Sequence, residues 1–267
     1  MKTSGGARFS VQSWASAHDS VERTKARSST LKRARRQRLE EHRLRLLALD
    51  TTSEFGSIAL CDTTRVIEEV PIRSPAGFAH ILFDEIHRLL ARHGLTLRDI
   101  SAFASASGPG SFTGVRIGLT AAKGLAEATD RKVVAVSNLE AIAWFGARPL
   151  RAPVIDARRG EIYGAVFDAS LRPVRDEVVA PFESWLASLP DGDLEIITNG
   201  FELACGVPFP IVTAPRALAG VIARIAADRF AAGLAQDPAE IDANYVRRSD
   251  VELLWKEPAL SDRLKLK

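Results

Sequence analysis

A chain of 267 residues, 46% of them hydrophobic and 26% charged, can bury the core of one large domain or two modest ones, and its composition is that of a soluble globular protein. Two cysteines, Cys61 and Cys205, with no CxxC or Cys/His cluster around either, exclude a disulfide scaffold and a structural zinc site and fit a reducing compartment. The net charge of +3 is unevenly spread, because residues 1–45 carry twelve Lys or Arg against four Asp or Glu and the remainder is mildly acidic.

The leader, residues 1–44, is rich in Ser, Ala and Arg and has no sustained apolar face; its densest part, Leu31–Arg45, suits a solvated helix. Three readings are open: an electrostatic arm for RNA, since clustered Arg and Lys neutralise phosphates; an Arg- and Ser-rich transit sequence; or a disordered extension, which the composition favours. A secretory signal would need an apolar core and a cleavage site, and neither is visible. No apolar run approaches the ~20 residues needed to span a bilayer. A cytoplasmic protein without membrane association is therefore expected.

The first ordered half is expected over residues 45–147. Leu46–Asp50 (LLALD) is a buried strand run ending in an acid, TTSEFG turns the chain, and Ser57–Asp62 and Val66–Ile72 read as further strands. Phe78–Arg92 has helical spacing through Phe78, Leu82, Ile86 and Leu89, and Gly94 ends it. Ser101–Ser107 predicts a strand of small residues, GPGSFTG a loop, Val115–Ala128 a helix and Lys132–Val136 a strand. Ser137 with Glu140 forms a capping-box signature for a helix over Leu139–Phe145.

The second half, expected over 148–247, restarts this pattern. Pro153–Asp156 (PVID) again ends a strand in an acid, ARRG turns the chain, and Glu161–Phe167 returns, echoing the first half at a spacing of 106 residues. Glu195–Gly200 predicts a strand and turn, Arg216–Ala232 a helix with Gly233 as its C-cap, and residues 248–267 a charged tail.

Two stretches could hold a phosphate. The loop Ser107–Gly114 lies between a strand and a helix, where unpaired N–H groups and the helix dipole favour an anion. Gly108, Gly110 and Gly114 would let the backbone approach a ligand, and Ser111 or Thr113 would cap the helix or touch the phosphate; alternatively the glycines only make a tight turn. Asp50 and Thr51, at the end of the first strand, suit a metal-bound phosphate or a carboxylate bonded to its own turn. His80 and His87 are two helical turns apart, about 10 Å of rise, too far to share one metal ion. No nucleophile has a sequence context that marks activation. The helix Val115–Ala128 carries a second apolar stripe, Ile117, Ala121, Gly124 and Ala128, edged by Arg116 and Thr120, which suits close packing on another helix of this chain or of a partner.

LLALDTTSEFGSIAL (Leu46–Leu60), SGPGSFTGVRIGLTAAKGLA (Ser107–Ala126), VSNLEAIA (Val136–Ala143), VIDARRGEIYGAVF (Val154–Phe167) and NYVR (Asn244–Arg247) together resemble the TsaB family, also called YeaZ. The resemblance implies an α/β, actin-like ATPase (ASKHA) fold built from two ribonuclease-H-like halves. It further implies a non-catalytic subunit of the machinery that places threonylcarbamoyl on adenosine 37 of tRNA. The implied partners are a TsaD-type transferase and a TsaE-type ATPase, with tRNA met through the complex and a homodimer as another pairing. No metal is implied and no cofactor is assigned; ATP or ADP within the complex is one option, and nucleotide binding by the isolated chain stays open. The implied partner surface lies on the first two helices, at Phe78, Leu82, Arg116, Ile117, Thr120, Ala121, Gly124 and Ala128. Where relatives often open the first helix with His-Ser/Thr-Glu/Gln, this chain has Ala76-Gly77-Phe78-Ala79-His80, and it lacks the His-x-x-x-His pair of the transferase. Two other functions stand beside this one: an ATP-dependent enzyme such as a sugar kinase, and an RNA-binding module acting through the leader.

Overall fold

The computed structural model describes residues 44–246 apart from Thr64, Phe201, Ala204 and Cys205. The expectations for the basic leader before Leu44, for the charged tail and for Arg247 fall outside the described residues.

The chain builds two five-stranded sheets of one design. In the first, β1 (Leu46–Asp50), β2 (Phe55–Cys61) and β3 (Val66–Arg73) form an antiparallel meander, and β4 (Ala102–Ala106) and β5 (Lys132–Val136) add in parallel beside β1, giving the order β3-β2-β1-β4-β5. The second repeats it with β6 (Leu150–Arg158), β7 (Glu161–Asp168), β8 (Pro173–Pro181), β9 (Leu194–Thr198) and β10 (Ile211–Thr213), in the order β8-β7-β6-β9-β10. The repeat reaches single hydrogen bonds. Asp50 Oδ1 accepts the N–H of Thr52 at 3.0 Å, and Asp156 Oδ1 accepts that of Arg158 at 2.8 Å. These are the two ribonuclease-H-like halves of an actin-like fold.

Strand β1 is buried along its whole length, and its alternation divides the core. Leu47 and Leu49 point to the side covered by α1 (Leu82–Arg92) and α2 (Phe112–Thr129), whereas Leu46 and Ala48 point to the opposite core. That opposite core is shared with α5 (Ala219–Ala231), which follows the second sheet in the chain and returns to lie on the first. Helix α3 (Asn138–Ala143), with all six residues buried, packs against both α5 and the second sheet; α4 (Phe182–Ala187) seats Trp185 on that sheet's other face.

Helix boundaries move where tertiary contacts replace local signals. Helix α1 begins at Leu82, four residues after Phe78, because Phe78 caps a turn and buries its ring over Gly56. Helix α2 begins a turn early, since Ser111 Oγ accepts the Gly114 N–H at 3.3 Å. Helix α5 begins at Ala219, where its free N–H groups meet acceptors from the first sheet: Ser57 Oγ takes Leu218 and Ala219 at 3.2 and 2.9 Å, and Glu69 Oε1 takes Gly220 at 2.9 Å. In α3, Ser137 Oγ accepts the N–H groups of Leu139 and Glu140, but Glu140 does not complete the capping box. Its carboxylate instead holds Arg229 of α5 in two bonds of 2.7 and 2.6 Å.

Glu140 is 8% exposed, and burial raises its carboxyl above the usual range against the pull of Arg229. Glu140→Ala would leave the half-buried Arg229 without its counter-charge, and the expected loss is about 2 kcal/mol in urea unfolding. A loss within 0.5 kcal/mol, the ordinary range for a surface change, would mean that the pair holds α3 and α5 together no better than water does.

Candidate functional site

Two surfaces gather the residues singled out in the sequence. The first is a cleft of about 840 Å³ between the two sheets. The β1–β2 turn and the start of α2 supply Thr51, Thr52, Gly110, Ser111, Thr113 and Gly114 on one side. Asp156, Arg158 and Tyr163 from the β6–β7 hairpin, with Asn199 and Arg216, supply the other. The guanidinium of Arg216 lies 4.2 Å from the centroid of the Phe55 ring, which fixes a cation at the cleft wall. Arg158, Tyr163, Asn199 and Arg216 were not foreseen as site residues. They come from three separate segments, and only Arg158 and Tyr163 sit within a recognised motif.

Asp50 and Gly108 do not line this cleft. Asp50 is 3% exposed, and its Oδ1 accepts both the N–H and, at 2.6 Å, the hydroxyl of Thr52. Asn138 donates to that same hydroxyl at 2.8 Å and accepts the Gly108 N–H at 3.1 Å, so Asp50, Thr52, Asn138 and the loop form one buried network. Desolvation raises the Asp50 carboxyl, the Thr52 bonds opposing it.

The glycines of the loop are used by the fold. A Cβ on Gly110 would stand 2.6 Å from the Thr52 carbonyl oxygen, and one on Gly114 would collide with the carbonyl oxygen of Thr51. Thr51 Oγ1 in turn donates to the Gly114 carbonyl at 2.7 Å, and the Ser111 N–H donates to the Thr52 carbonyl at 2.7 Å. Gly108 takes φ +100°, a conformation that favours glycine. The loop therefore lays the start of α2 directly on the β1–β2 turn. The cleft is lined by hydroxyls, by the guanidinium groups of Arg158 and Arg216 and by the carboxylates of Glu54 and Asp156, with Arg158 3.6 Å from Asp156, so its polar lining is of mixed charge.

The titration of Asp50 has a testable sign. A carboxyl whose folded pKa is raised contributes most below its unfolded pKa and loses that contribution as pH rises through the folded pKa. Asn at this position keeps an acceptor for Thr52 and does not titrate. The stability of Asp50→Asn relative to the natural protein is expected to increase from acidic to neutral pH, read by urea unfolding across that range; a difference independent of pH would refute it.

The second surface is an apolar groove of about 440 Å³ between α1 and the first half of α2, lined by Phe83, Phe112, Arg116, Ile117, Thr120 and Ala121 among others. Phe83 and Phe112 are 56% and 43% exposed. Arg116, Thr120, Gly124 and Ala128 are exposed and Ile117 half-buried, as a partner surface would require. Phe78 and Leu82 are core residues, 2% and 1% exposed, and Ala121 is 6% exposed against the same core. The family resemblance implied Phe78 and Leu82 as partner contacts; instead both share with Ile86 and Leu89 the apolar stripe that packs into the core, and Phe83 is the outward aromatic.

His80 and His87 are exposed, and the described residues contain no group of three or more His, Cys, Asp or Glu able to hold a metal ion. The Cys61 thiol is pushed up to about 11 by burial and by Asp62, which keeps it protonated. No helix among the described residues is long and apolar enough to cross a membrane.

Residues 70–249 match the family model described as TsaD: tRNA N6-adenosine threonylcarbamoyltransferase. The tRNA threonylcarbamoyladenosine biosynthesis protein TsaB of Bacillus subtilis is 33% identical over 162 residues, covering 59% of this chain and 71% of that protein. The Escherichia coli protein of the same name is 38% identical over 129 residues, 46% of this chain and about half, 55%, of that protein. The solved structure of YeaZ from Pseudomonas aeruginosa superposes with a TM-score of 0.64 at 26% identity, covering 76% of this chain and 99% of that one.

Proposed function

The chain belongs to the TsaB family, and from that premise we propose that it is the non-catalytic subunit that binds and supports a TsaD-type transferase. Its role lies in tRNA threonylcarbamoyladenosine biosynthesis. The observation that carries the finer reading is the groove between α1 and α2, where two large aromatic rings stand exposed beside small residues on a rigid helix pair. Exposed apolar patches rimmed by polar groups mark protein interaction sites. The family model that matches this chain describes the transferase itself. A partner of the same fold carries a corresponding helix pair, so the two can meet through like surfaces, as homologous chains do in two-fold assemblies. The same geometry admits a homodimer when the transferase is absent.

A TsaE-type ATPase and tRNA join through that pair, and ATP or ADP enters with them. The alternative, an ATP-dependent kinase, draws less support. Asp50, its candidate phosphate residue, is held in a buried network with Thr52 and Asn138, and the loop glycines contact the β1–β2 turn.

Co-purification of the full chain with the transferase from the same genome tests the reading. Expected are a stable pair and threonylcarbamoyladenosine formation that requires both chains. A transferase that neither binds this chain nor needs it, or modification of tRNA by this chain alone, would overturn the proposal.

A further inference from the structure

After α5 the chain does not leave the body. It returns as a strap, residues 236–246, along the outer edge of the first sheet and across α2. Its backbone is fixed at intervals. Gln236 exchanges hydrogen bonds with Val133 of β5 at 3.0 and 2.9 Å. The Ile241 carbonyl accepts Lys123 Nζ of α2 at 2.6 Å, and its side chain is 2% exposed in the core. The Asn244 N–H donates to the Ser107 carbonyl at 2.8 Å, and its side-chain amide donates to Glu177 of β8 at 2.6 Å. These anchors deliver Tyr245 to the rim of the α1–α2 groove.

There Tyr245 meets two residues that line the groove. Its hydroxyl accepts Arg116 Nε at 2.9 Å, its ring centroid is 5.6 Å from that of Phe112, and the Arg116 guanidinium stacks 3.7 Å from the Phe112 centroid. Tyr245 nevertheless remains 45% exposed. Tyrosine and arginine are enriched among the residues that dominate binding energy, and rings already held in place lose little freedom when a partner arrives.

We propose that Tyr245, carried by the C-terminal strap and clamped by Arg116, extends the α1–α2 groove into one continuous docking surface for the TsaD-type transferase. The inference rests on the reading of the groove as the transferase site. It adds a contact from the far end of the chain, held in part by Glu177 of the second sheet, to a surface otherwise made by two helices of the first half.

The chain contains two tyrosines, Tyr163 in the cleft and Tyr245, so nitration with tetranitromethane followed by mass spectrometry reads the site in the natural protein. Tyr245 is expected to be nitrated in the free chain and protected in the transferase complex, with Tyr163 as the internal reference. In titration calorimetry Tyr245→Ala should weaken transferase binding about tenfold or more and Tyr245→Phe less than about threefold, because the ring supplies the contact. Equal nitration of Tyr245 in free and bound chains, or near-natural affinity in Tyr245→Ala, would overturn the inference while a groove variant that abolishes binding left the transferase reading standing. If groove and Tyr245 variants all bind normally, the groove reading itself falls, and this inference with it.

Discussion

Gly124→Arg is expected to leave the isolated chain folded and to weaken transferase binding at least about a hundredfold, or about 3 kcal/mol. Gly124 is exposed on α2, and a Cβ added there meets nothing within 4 Å. Replacing glycine within an exposed helix stretch by a better helix former gains about 0.5–1 kcal/mol, so the melting temperature should hold or rise. In the complex the same arginine would bring a long charged side chain to a surface whose virtue is close approach, with no volume or counter-charge arranged for it. Ala121→Arg, one turn earlier, gives the contrasting result. Ala121 is 6% exposed against the core of the first half, so arginine there should unfold the chain before any partner is tested. Circular dichroism and pull-down on the two variants separate the cases. A folded Gly124→Arg chain that binds the transferase normally would remove this end of α2 from the interface.

The contrast between these neighbouring positions marks what could be read from residues alone. Strands β1 and β5 are legible with their observed bounds, because short apolar runs flanked by polar turns leave few alternatives. The echo between LALD and PVID is legible because a duplicated hairpin repeats both its pattern and its terminal acid. Strand β8 was not foreseen. It lies at an edge, carries Arg175, Asp176 and Glu177, and is bounded by Pro173 and Pro181, so little about it resembles a buried strand. The start of α5 was beyond sequence reading for a different reason: its first N–H groups are capped by Ser57 and Glu69, some 150 residues earlier. Non-local capping leaves no signature near the helix. The same limit applies to the cleft. The glycine loop announced a close approach, but only the fold says that the approaching group is the Thr51–Thr52 backbone.

That assignment leads to the second large effect, a sign reversal within one helix. Gly114→Ala and Gly124→Ala make the same substitution in α2 and have the same local propensity gain of about 1 kcal/mol. At Gly124 the methyl group enters open space, so the variant is expected to be stabilised by roughly that gain. At Gly114 the methyl group runs into the Thr51 carbonyl oxygen, a backbone atom that no rotamer change can move aside. Relief requires α2 to lift from the β1–β2 turn. Lifting it breaks the bond from Thr51 Oγ1 to the Gly114 carbonyl at 2.7 Å and opens the contact below Gly118, where an added Cβ would already stand 2.6 Å from Thr51 Oγ1. Overpacking costs about 1–3 kcal/mol, and a buried hydrogen bond adds about 1 more, so the net loss at Gly114 is expected at about 1–3 kcal/mol after the propensity gain is counted. Urea unfolding of the two variants beside the natural chain gives both numbers in one experiment. If Gly114→Ala were as stable as Gly124→Ala, the glycine would not be serving the contact with Thr51. Its place in the loop would then have to be explained by a ligand at the cleft.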